Sequence, residues 1–534
     1  MARPTVAEAV ADELLALRVD RVFGLPGGEI LDLVEATRTR GIEFVLCRHE
    51  ANAGVMAGVY GNLRNVPGVV FTTLGPGAAN LLLPLASSRL EREPLIAISA
   101  QLPQSWPGSH IHQRLPLKDV YGPVTKRAET LRPFNCRSLL RTAGSECMEQ
   151  PRGACFFTLS AEDARSPAEE VSHSVAAPSV ASRRAFSSPL AAAEELRERL
   201  AGAERPLVAV GLGTNVEATP LIREWTRKWR LPTVTTPKAK GIFDETDSAF
   251  VGVIGGMAID SLMMSAVEQA DVIVGLGLDP VEINRPWHVT APIIWMLEAP
   301  WATGAVPSTP WTRVDQIQLL HSLVDMAPPR EWVDWCEPVR RQRRDIYERD
   351  DAAQRSPLAL VRNVAARLPA DTIVTTDVGA HKFVFGQFWP CSTPQTMLMS
   401  NGLSGMGYGL PAAIAAKLAR PERIVLSVLG DGGFSMNCGE LETATRLGLS
   451  LIVLVLADRS YSLIRLGQQA RQLPRHGVDF GPVDNAAIAR ACGFDAVTTT
   501  DAREAGDVAH EAAATGRATL IEYCLDVDEY VGIV

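Results

Sequence analysis

Short apolar runs recur along the chain, each bounded by glycine, proline or an acid and followed by a segment with helical spacing. The clearest case spans Arg423 to Gln469. Ile424 to Leu429 is apolar throughout, which predicts a buried strand of a parallel sheet. It breaks at Gly430-Asp431-Gly432-Gly433, where small residues let main-chain amides approach a ligand. Glu440, Leu441 and Ala444 then sit at helical spacing, and a second apolar run, Leu451 to Leu456, ends on Ala457-Asp458-Arg459-Ser460. The same rhythm opens the chain. Thr5-Val6-Ala7-Glu8 is a capping-box pattern for a helix through Leu17. Strands follow at Val22 to Leu25, Glu43 to Arg48, Val69 to Thr73 and Pro94 to Ala100. The first ends in Pro26-Gly27-Gly28, with Glu29 opening a helix. The second runs into His49-Glu50 and a small-residue helix, Ala51 to Tyr60. The third ends in Leu74-Gly75-Pro76-Gly77, with a helix from about Asn80.

Strands alternating with helices predict an α/β chain of doubly wound parallel sheets. In the middle of the chain, strands are expected at Pro206 to Val210, Pro232 to Thr235, Val272 to Leu276 and Ile293 to Met296. Ala161 to Pro189, rich in Ala, Ser, Pro and Glu, reads as a linker. Ala327 to Pro357 reads as a second connector, with Glu337 to Asp351 as a solvated helix. Three domains result, at 1–165, 186–326 and 357–534, which suits 534 residues. The first and third are expected to share a topology, although they show no direct sequence repeat.

Composition narrows the function. A net charge of -9 argues against nucleic-acid binding. Nine cysteines without a CxxC pair read as reduced core thiols in the cytoplasm, not disulfides or zinc ligands. Met1 to Leu17 carries acids among its apolar residues, unlike a signal peptide, and no run reaches the length of a membrane span.

The strand-helix-strand reading puts Asp431 and Asp458 at the carboxyl ends of neighbouring strands, the edge where open α/β sheets bind ligands. Two carboxylates beside a Gly-rich turn suit a divalent cation carrying a diphosphate. The plainer alternative is a turn with two helix-capping acids; the paired spacing favours the site. By contrast, Gly211-Leu212-Gly213-Thr214-Asn215 lacks a full GxGxxG continuation, so a dinucleotide site there has little support.

The stretch GDGGFSMN…LADRSY resembles the magnesium-diphosphate motif of thiamine-diphosphate enzymes, and the acetolactate synthase group in particular. RHEANAG followed by TTLGPGAAN resembles the pyrimidine-binding domain of the same family. The resemblance makes Glu50 the acid that hydrogen-bonds N1′ of the aminopyrimidine and promotes the tautomer that deprotonates C2; an isolated Glu there would otherwise be a helix-capping acid. Burial that raises its pKa would favour that role. The resemblance also implies that Pro26, Pro76 and Asn80 line the pyrimidine pocket. Gln113, in HIHQ, matches an active-site glutamine of the carboligases, where pyruvate decarboxylases carry a His-His pair. In Asp377-Val378-Gly379-Ala380-His381, Gly379 and His381 would contact the diphosphate. In Ser400 to Gly407, Ser404 and Met406 fall in the segment whose bulky residue, Met406, wedges between the cofactor rings. Gly430, Asp431, Gly432, Gly433, Asp458, Ser460 and Tyr461 would hold the diphosphate, with magnesium on Asp431, Asp458 and the Ser460 carbonyl.

Within the group, GDGGF, ELETATRL, DRSY and VDFGPVD look closest to catabolic, flavin-free acetolactate synthases. Asp458 fits that branch, since biosynthetic enzymes usually carry Asn, and Gly277 to Glu282 (GLDPVE) also resembles its pattern. FAD is therefore not expected to be required. The implied substrate pocket takes in Gly28, Glu29, Leu463, Arg465 and Gly467, and three of these depart from the family. Glu29 stands for the usual Lys or Ala, Gly467 for Trp or Gln, and Arg465 for an apolar or small residue, unless Arg465 serves only the surface. The implied reaction is decarboxylation of a 2-keto acid, pyruvate foremost, with transfer of the acyl anion to a carbonyl acceptor. The alternatives are a decarboxylase or lyase that releases an aldehyde, or a relative that only binds. Retention of Glu50, Gln113, Asp431 and Asp458 argues against the last. The family places each site between the first domain of one subunit and the third of another, so a homodimer is the minimum and a homotetramer is common.

Overall fold

The computed structural model describes residues 3–169, 187–284, 287, 289–299, 311–349 and 354–534. Their strands form three six-stranded sheets in which every pairing is parallel. The first holds β1 (Arg21–Leu25), β2 (Glu43–Leu46), β3 (Gly68–Thr72), β4 (Leu95–Gln101), β5 (Arg127–Thr130) and β6 (Ala154–Ser160), in the order β2-β1-β3-β4-β6-β5. The second holds β7 (Pro206–Val210), β8 (Thr233–Thr235), β9 (Phe250–Val253), β10 (Val272–Leu276), β11 (Ile293–Leu297) and β12 (Trp311–Arg313), in the order β12-β11-β10-β7-β8-β9. The third holds β13 (Ile373–Thr376), β14 (Met397–Met399), β15 (Val425–Gly430), β16 (Ile452–Ala457), β17 (Asp495–Thr499) and β18 (Thr519–Cys524), in the order β14-β13-β15-β16-β18-β17. The first and third sheets repeat one strand order, as their shared rhythm suggested.

The chain packs as two compact units. One combines residues 3–169 with Gly402–Pro421 and Gly439–Leu449; the other contains the second and third sheets. In the first unit, helix Val6–Ala16 has the expected capping box, with Thr5 N–H donating to Glu8 Oε2 at 2.8 Å and Glu8 N–H to Thr5 Oγ1 at 3.2 Å. The small residues of helix Glu50–Arg64 let it lie directly on its neighbours. A Cβ on Gly61 would come within 2.3 Å of Gly68 N, and one on Gly68 within 1.8 Å of Ala57 O. Helices Gly409–Ala419 and Glu440–Arg446 belong to the same unit.

Several boundaries differ from the sequence expectation. Glu29 lies in a 3-10 turn, Gly28–Ile30, before helix Leu31–Thr39. The helix after the third strand starts at Pro76, whose fixed φ and missing N–H suit a first helical position. Strand β2 ends at Leu46, not Arg48. Gly430 closes β15 and Asp431 already opens helix Asp431–Asn437. Of the first linker, Ala161–Arg165 is helical, Ser188 caps helix Pro189–Ala201, and 170–186 lie outside the described residues. In the second connector, helix Glu337–Tyr347 buries only Val339 and Arg340, and 350–353 lie outside the described residues. All nine cysteines are free thiols. Among the described residues no helix is long and apolar enough to cross a membrane.

Among the described residues of the second unit, the pair Lys240–Glu245 lies out of reach of water. Lys240 Nζ lies 2.7 Å from Glu245 Oε2, with the side chains 0% and 2% exposed. Glu245 also accepts from Cys391 N–H at 3.2 Å, yet burial raises its pKa above the ordinary carboxylate range. Lys240→Met takes away the cation bonded to that carboxylate and leaves only the more distant charge of Arg343, which destabilises by about 3–5 kcal/mol. Urea unfolding followed by the fluorescence of the buried Trp225 and Trp229 should show this loss; an unchanged midpoint and slope would refute it.

Candidate active site

In a doubly wound sheet, chain connections leave in opposite directions at a switch point, and the loops at the carboxyl ends of the strands there splay apart into a crevice. In the third sheet that point lies between β13 and β15. Asp377 follows β13 and is fully buried, with Oδ1 accepting from Val378 N–H at 2.7 Å. The loop after β15 approaches it so closely that a Cβ on Gly433 would lie 2.1 Å from Asp377 Oδ2. Only glycine fits there. His381, on the helix that follows Gly379, lies over Gly430, whose added Cβ would sit 3.2 Å from its Cε1. The ring is buried and its Nε2 has no hydrogen-bond partner. Burial pushes its pKa down to about 4, against a hydrogen bond to the Asp377 main chain. An anion against Nε2 would reverse that balance and let the ring donate from both nitrogens. An orphaned imidazole nitrogen above a bare glycine loop fits a diphosphate.

The neighbouring strand β16 delivers the second acid, since Gly430 pairs with Leu456 in register. Asp431 Oδ1 accepts from Gly432 N–H at 2.9 Å and Oδ2 from Arg459 N–H at 2.8 Å. Asp458 Oδ1 accepts from Ser460 N–H at 3.0 Å, and its Oδ2 from the Ser462 hydroxyl. The Arg459 to Tyr461 turn is clamped by residues 478–480. Tyr461 N–H donates to Val478 O at 2.8 Å and Phe480 N–H to Arg459 O at 3.1 Å. This explains why DRSY and VDFGPVD occur together. Burial pushes Asp431 up to about 6. Burial and the Asp431 charge push Asp458 up to about 7. Buried Glu522, which the sequence reading did not single out, raises Asp431 further. A divalent cation would relieve both acids at once. Among the described residues no cluster of three or more His, Cys, Asp or Glu could hold a metal. A two-carboxylate set is what magnesium uses when a phosphate and water complete its shell.

In the first sheet the switch point lies between β1 and β3. The loop after β1 brings Gly27 against Thr73, whose hydroxyl donates to Glu29 Oε2 at 2.7 Å. Pro26 and Gly28 are exposed beside it. The loop after β3 turns at Gly75, with φ +61°, and an added Cβ there would meet Gln113 Cβ at 2.9 Å. Gln113 and Pro76 are exposed. Asn80 Nδ2 donates to Glu50 Oε2 at 2.9 Å, and Gly77 leaves 3.3 Å between its added Cβ and Glu50 Oε1. Glu50 does not cap its helix. That role falls to His49, whose Nδ1 accepts from Ala51 N–H at 3.0 Å. Glu50 is partly exposed in this unit, not fully buried as its expected role favoured.

Sequence reading gave Glu440 only a place on a helix and did not single out two further buried acids of this unit, Glu91 and Glu93. Glu440 Oε1 accepts from Arg48 N–H and Asn52 Nδ2, both at 2.9 Å, and Oε2 from Thr443 Oγ1 at 2.7 Å. It thereby grips the chain two residues before and two residues after Glu50. Glu91 Oε1 accepts from Gly402 N–H at 2.8 Å, and Glu93 Oε1 from Tyr408 Oη at 3.1 Å. These bonds hold the segment that carries Ser404, at φ +55°, and the partly exposed Met406. No local pattern marks such pairings, because the partners lie hundreds of positions apart.

The remaining pocket candidates lie on or beside helix Ser462–Ala470 of the second unit. Leu463 is partly buried. Arg465 is not a free surface cation: it lies 3.6 Å from Asp528 and 4.0 Å from Asp526, and is 19% exposed. Gly467 is exposed, with open space where a side chain would project.

Three family models match the chain. They describe the N-terminal TPP binding domain, the central domain and the C-terminal TPP binding domain of thiamine pyrophosphate enzymes, at residues 4–120, 193–297 and 377–523. An acetolactate synthase of Bacillus subtilis is 28% identical over 99% of this chain and 94% of its own. A catabolic acetolactate synthase of Raoultella terrigena is 28% identical over 93% of this chain and 91% of its own. The fold is that of a thiamine diphosphate-dependent 4-hydroxybenzoylformate decarboxylase from Rhodococcus jostii, with a TM-score of 0.84, 21% identity and coverage of 98% of this chain and 100% of that one. The chain is a thiamine-diphosphate-dependent enzyme: it belongs to the thiamine pyrophosphate enzyme family and is similar over most of its length to acetolactate synthases.

Proposed function

We propose that the enzyme is a carboligase: it decarboxylates a 2-keto acid, pyruvate foremost, and passes the acyl group to a second carbonyl compound. The observation that carries this reading is the cluster at the β1/β3 crevice. There one carboxylate, Glu50, is held by Asn80, and a glutamine, Gln113, packs on the adjacent Gly75 turn. Thiamine diphosphate, when bound, supplies the electron sink for loss of carbon dioxide. Glu50 holds a proton at the pyrimidine nitrogen, with Pro26, Pro76, Asn80, Ser404 and Met406 around the rings. Asp431, Asp458 and the Ser460 carbonyl hold magnesium. Gly379, His381, Gly430, Gly432, Gly433 and Tyr461 receive the diphosphate. The bounds 1–165, 186–326 and 357–534 mark the pyrimidine, central and diphosphate domains. Flavin has no part in the reaction, and the working unit is a homodimer at least.

The acceptor is bulkier, or less negatively charged, than pyruvate itself. Glu29 keeps its carboxylate at the Pro26 turn, bonded to the neutral Thr73 hydroxyl. Arg465 is matched by Asp526 and Asp528 and offers no spare positive charge to an anionic acceptor. Gly467 leaves space where the family carries a large side chain. Replacing Gly467 with Trp should depress kcat/KM for a bulky aldehyde or ketone acceptor more than for pyruvate. The ratio of the two constants in wild type and variant is the test, and an unchanged ratio returns the enzyme to plain acetolactate synthesis. Recovery of free aldehyde as the main product from pyruvate, with acceptor present, would instead make it a decarboxylase.

Asp431→Ala removes a cation ligand, so calorimetry should show loss of tight magnesium-dependent cofactor binding; an affinity equal to wild type would refute the assignment. In the wild type, magnesium affinity should weaken as pH falls below about 7, where Asp458 and then Asp431 take up protons.

Glu50→Gln should still bind the cofactor but exchange the C2 proton more slowly by about two to four powers of ten, the scale of a positioned acid-base group. Proton NMR of exchange into heavy water reads this directly. Near-wild-type exchange would remove Glu50 from the role.

A further inference from the structure

The second sheet, read from β9, has the order β9-β8-β7-β10-β11-β12. That is the 3-2-1-4-5-6 order of dinucleotide-binding domains, whose ligand lies across the switch point with its diphosphate on the turn after the first strand. Here the switch point lies between β7 and β10, and the turn is Gly211 to Asn215. Every main-chain amide of that turn is already taken. Gly211 N–H donates to Leu276 O at 2.9 Å, Gly213 N–H to Gly277 O at 2.8 Å and Thr214 N–H to Gly211 O at 3.0 Å. Asn215 N–H donates to Gln316 Oε1 at 2.7 Å. The remaining amide, Leu212 N–H, donates at 2.9 Å to Glu282 Oε2, a carboxylate reaching over from the turn after β10.

Glu282 is fully buried and collects donors from a third loop as well. Thr236 Oγ1 donates to its Oε2 at 2.5 Å and Lys238 N–H to its Oε1 at 2.9 Å. Main-chain amides from two strand-end turns, with a hydroxyl between them, are the donors that phosphate oxygens take in such crevices. The turns after β7 and β10 also touch beside Glu282. A Cβ on Gly211 would lie 2.6 Å from Leu278 Cα, and one on Gly277 2.2 Å from Thr214 N.

We propose that the crevice of the central domain is an anion site which the chain fills with its own Glu282 carboxylate, in the place where a domain of this strand order takes a nucleoside diphosphate. The inference does not rest on the reaction proposed above, and it names a residue that keeps dinucleotides out. Glu282→Ala removes the internal anion and leaves the Leu212, Lys238 and Thr236 donors without their acceptor. That site would take a phosphate-bearing ligand of the nucleoside diphosphate class.

The test is calorimetric titration of ADP, with FAD as a second probe, into wild type and Glu282→Ala, both saturated with thiamine diphosphate and magnesium. The saturation blocks the third sheet's crevice. Wild type should bind neither probe, and the variant should bind ADP at least about tenfold more tightly. Stoichiometric binding of ADP or FAD by the wild type would overturn the proposal, as would a folded variant that binds ADP no better. Should Glu282→Ala be folded in the cold but too unstable for titration, its melting temperature in phosphate and in chloride of equal ionic strength reads the same cradle. Stabilisation by phosphate that wild type lacks supports the proposal; equal behaviour in both salts overturns it. If thiamine diphosphate itself does not bind, the carboligase reading falls, while the comparison of ADP between wild type and variant still stands.

Discussion

A carboxylate buried at the carboxyl edge of a parallel sheet is the constraint that shapes this enzyme. Water is largely excluded there, and an ionised acid is costly unless donors or a cation meet it. Glu282 is met by two main-chain amides and a hydroxyl. Glu440 is met by an amide, a carboxamide and a hydroxyl. Asp431 and Asp458 have donors too, but they also face each other's charge, and Asp431 faces that of Glu522. Neutral donors meet a single charge, though burial still pushes Glu282 up to about 7; at Asp458 the neighbouring Asp431 charge adds to the cost, and a cation would relieve both. The same chemical group therefore acts as a structural clamp in one loop and, in another, meets a second carboxylate whose charge a cation would relieve. What separates the two outcomes is the count of neighbouring charges, since all four groups are acids at loop ends.

The three sheets put this constraint to different use through topology. The first and third share one strand order, and each opens its crevice between its first and third strands. Both crevices are lined by glycines that stand where a Cβ would strike a neighbour, Gly27 against Thr73 and Gly433 against Asp377. Bare backbone there keeps main-chain N–H groups accessible to a ligand. The second sheet has the other order, and its strand-end glycines also meet the chain. Gly211 and Gly277 bring two loops of the chain against each other, so close approach closes the crevice. Glycine at a strand end thus marks a close contact. Whether the contact is with a ligand or with the chain itself depends on the loop opposite.

How far the sequence revealed this follows from the range of each interaction. Strand cores such as Pro206–Val210 and Val272–Leu276 were legible residue for residue, because burial on both faces leaves a continuous apolar run. Asp431 and Asp458 were legible as a pair, since one strand-helix-strand unit fixes their separation. The Gly75-Pro76 turn was legible as a break but not as a helix start, because proline serves both roles. The grip of Glu440 on Arg48 and Asn52 was not legible at all: the helix carrying it is amphipathic and ordinary, and its partners arise only when the chain folds back. Glu282 was legible only as part of a family-like stretch. Its partners lie on the turn after β7 and in the Thr236 to Lys238 segment, and no spacing rule links them.

Glu440 shows what such long-range bonds do for chemistry. A side chain at the start of a helix is only as well placed as the first turn beneath it, and first turns fray because their amides lack partners within the helix. Helix Glu50–Arg64 counters this at one amide through His49. The rest comes from Glu440, which fixes Arg48 on the strand side and Asn52 one half-turn into the helix. Glu50 is thus pinned from both directions along the chain, while its own carboxylate needs only Asn80 to set its direction. Because the clamp acts on flanking positions, it leaves the Glu50 oxygens free for exchange with a ligand. Asn80 takes one lone pair at Oε2, and the clamp takes none.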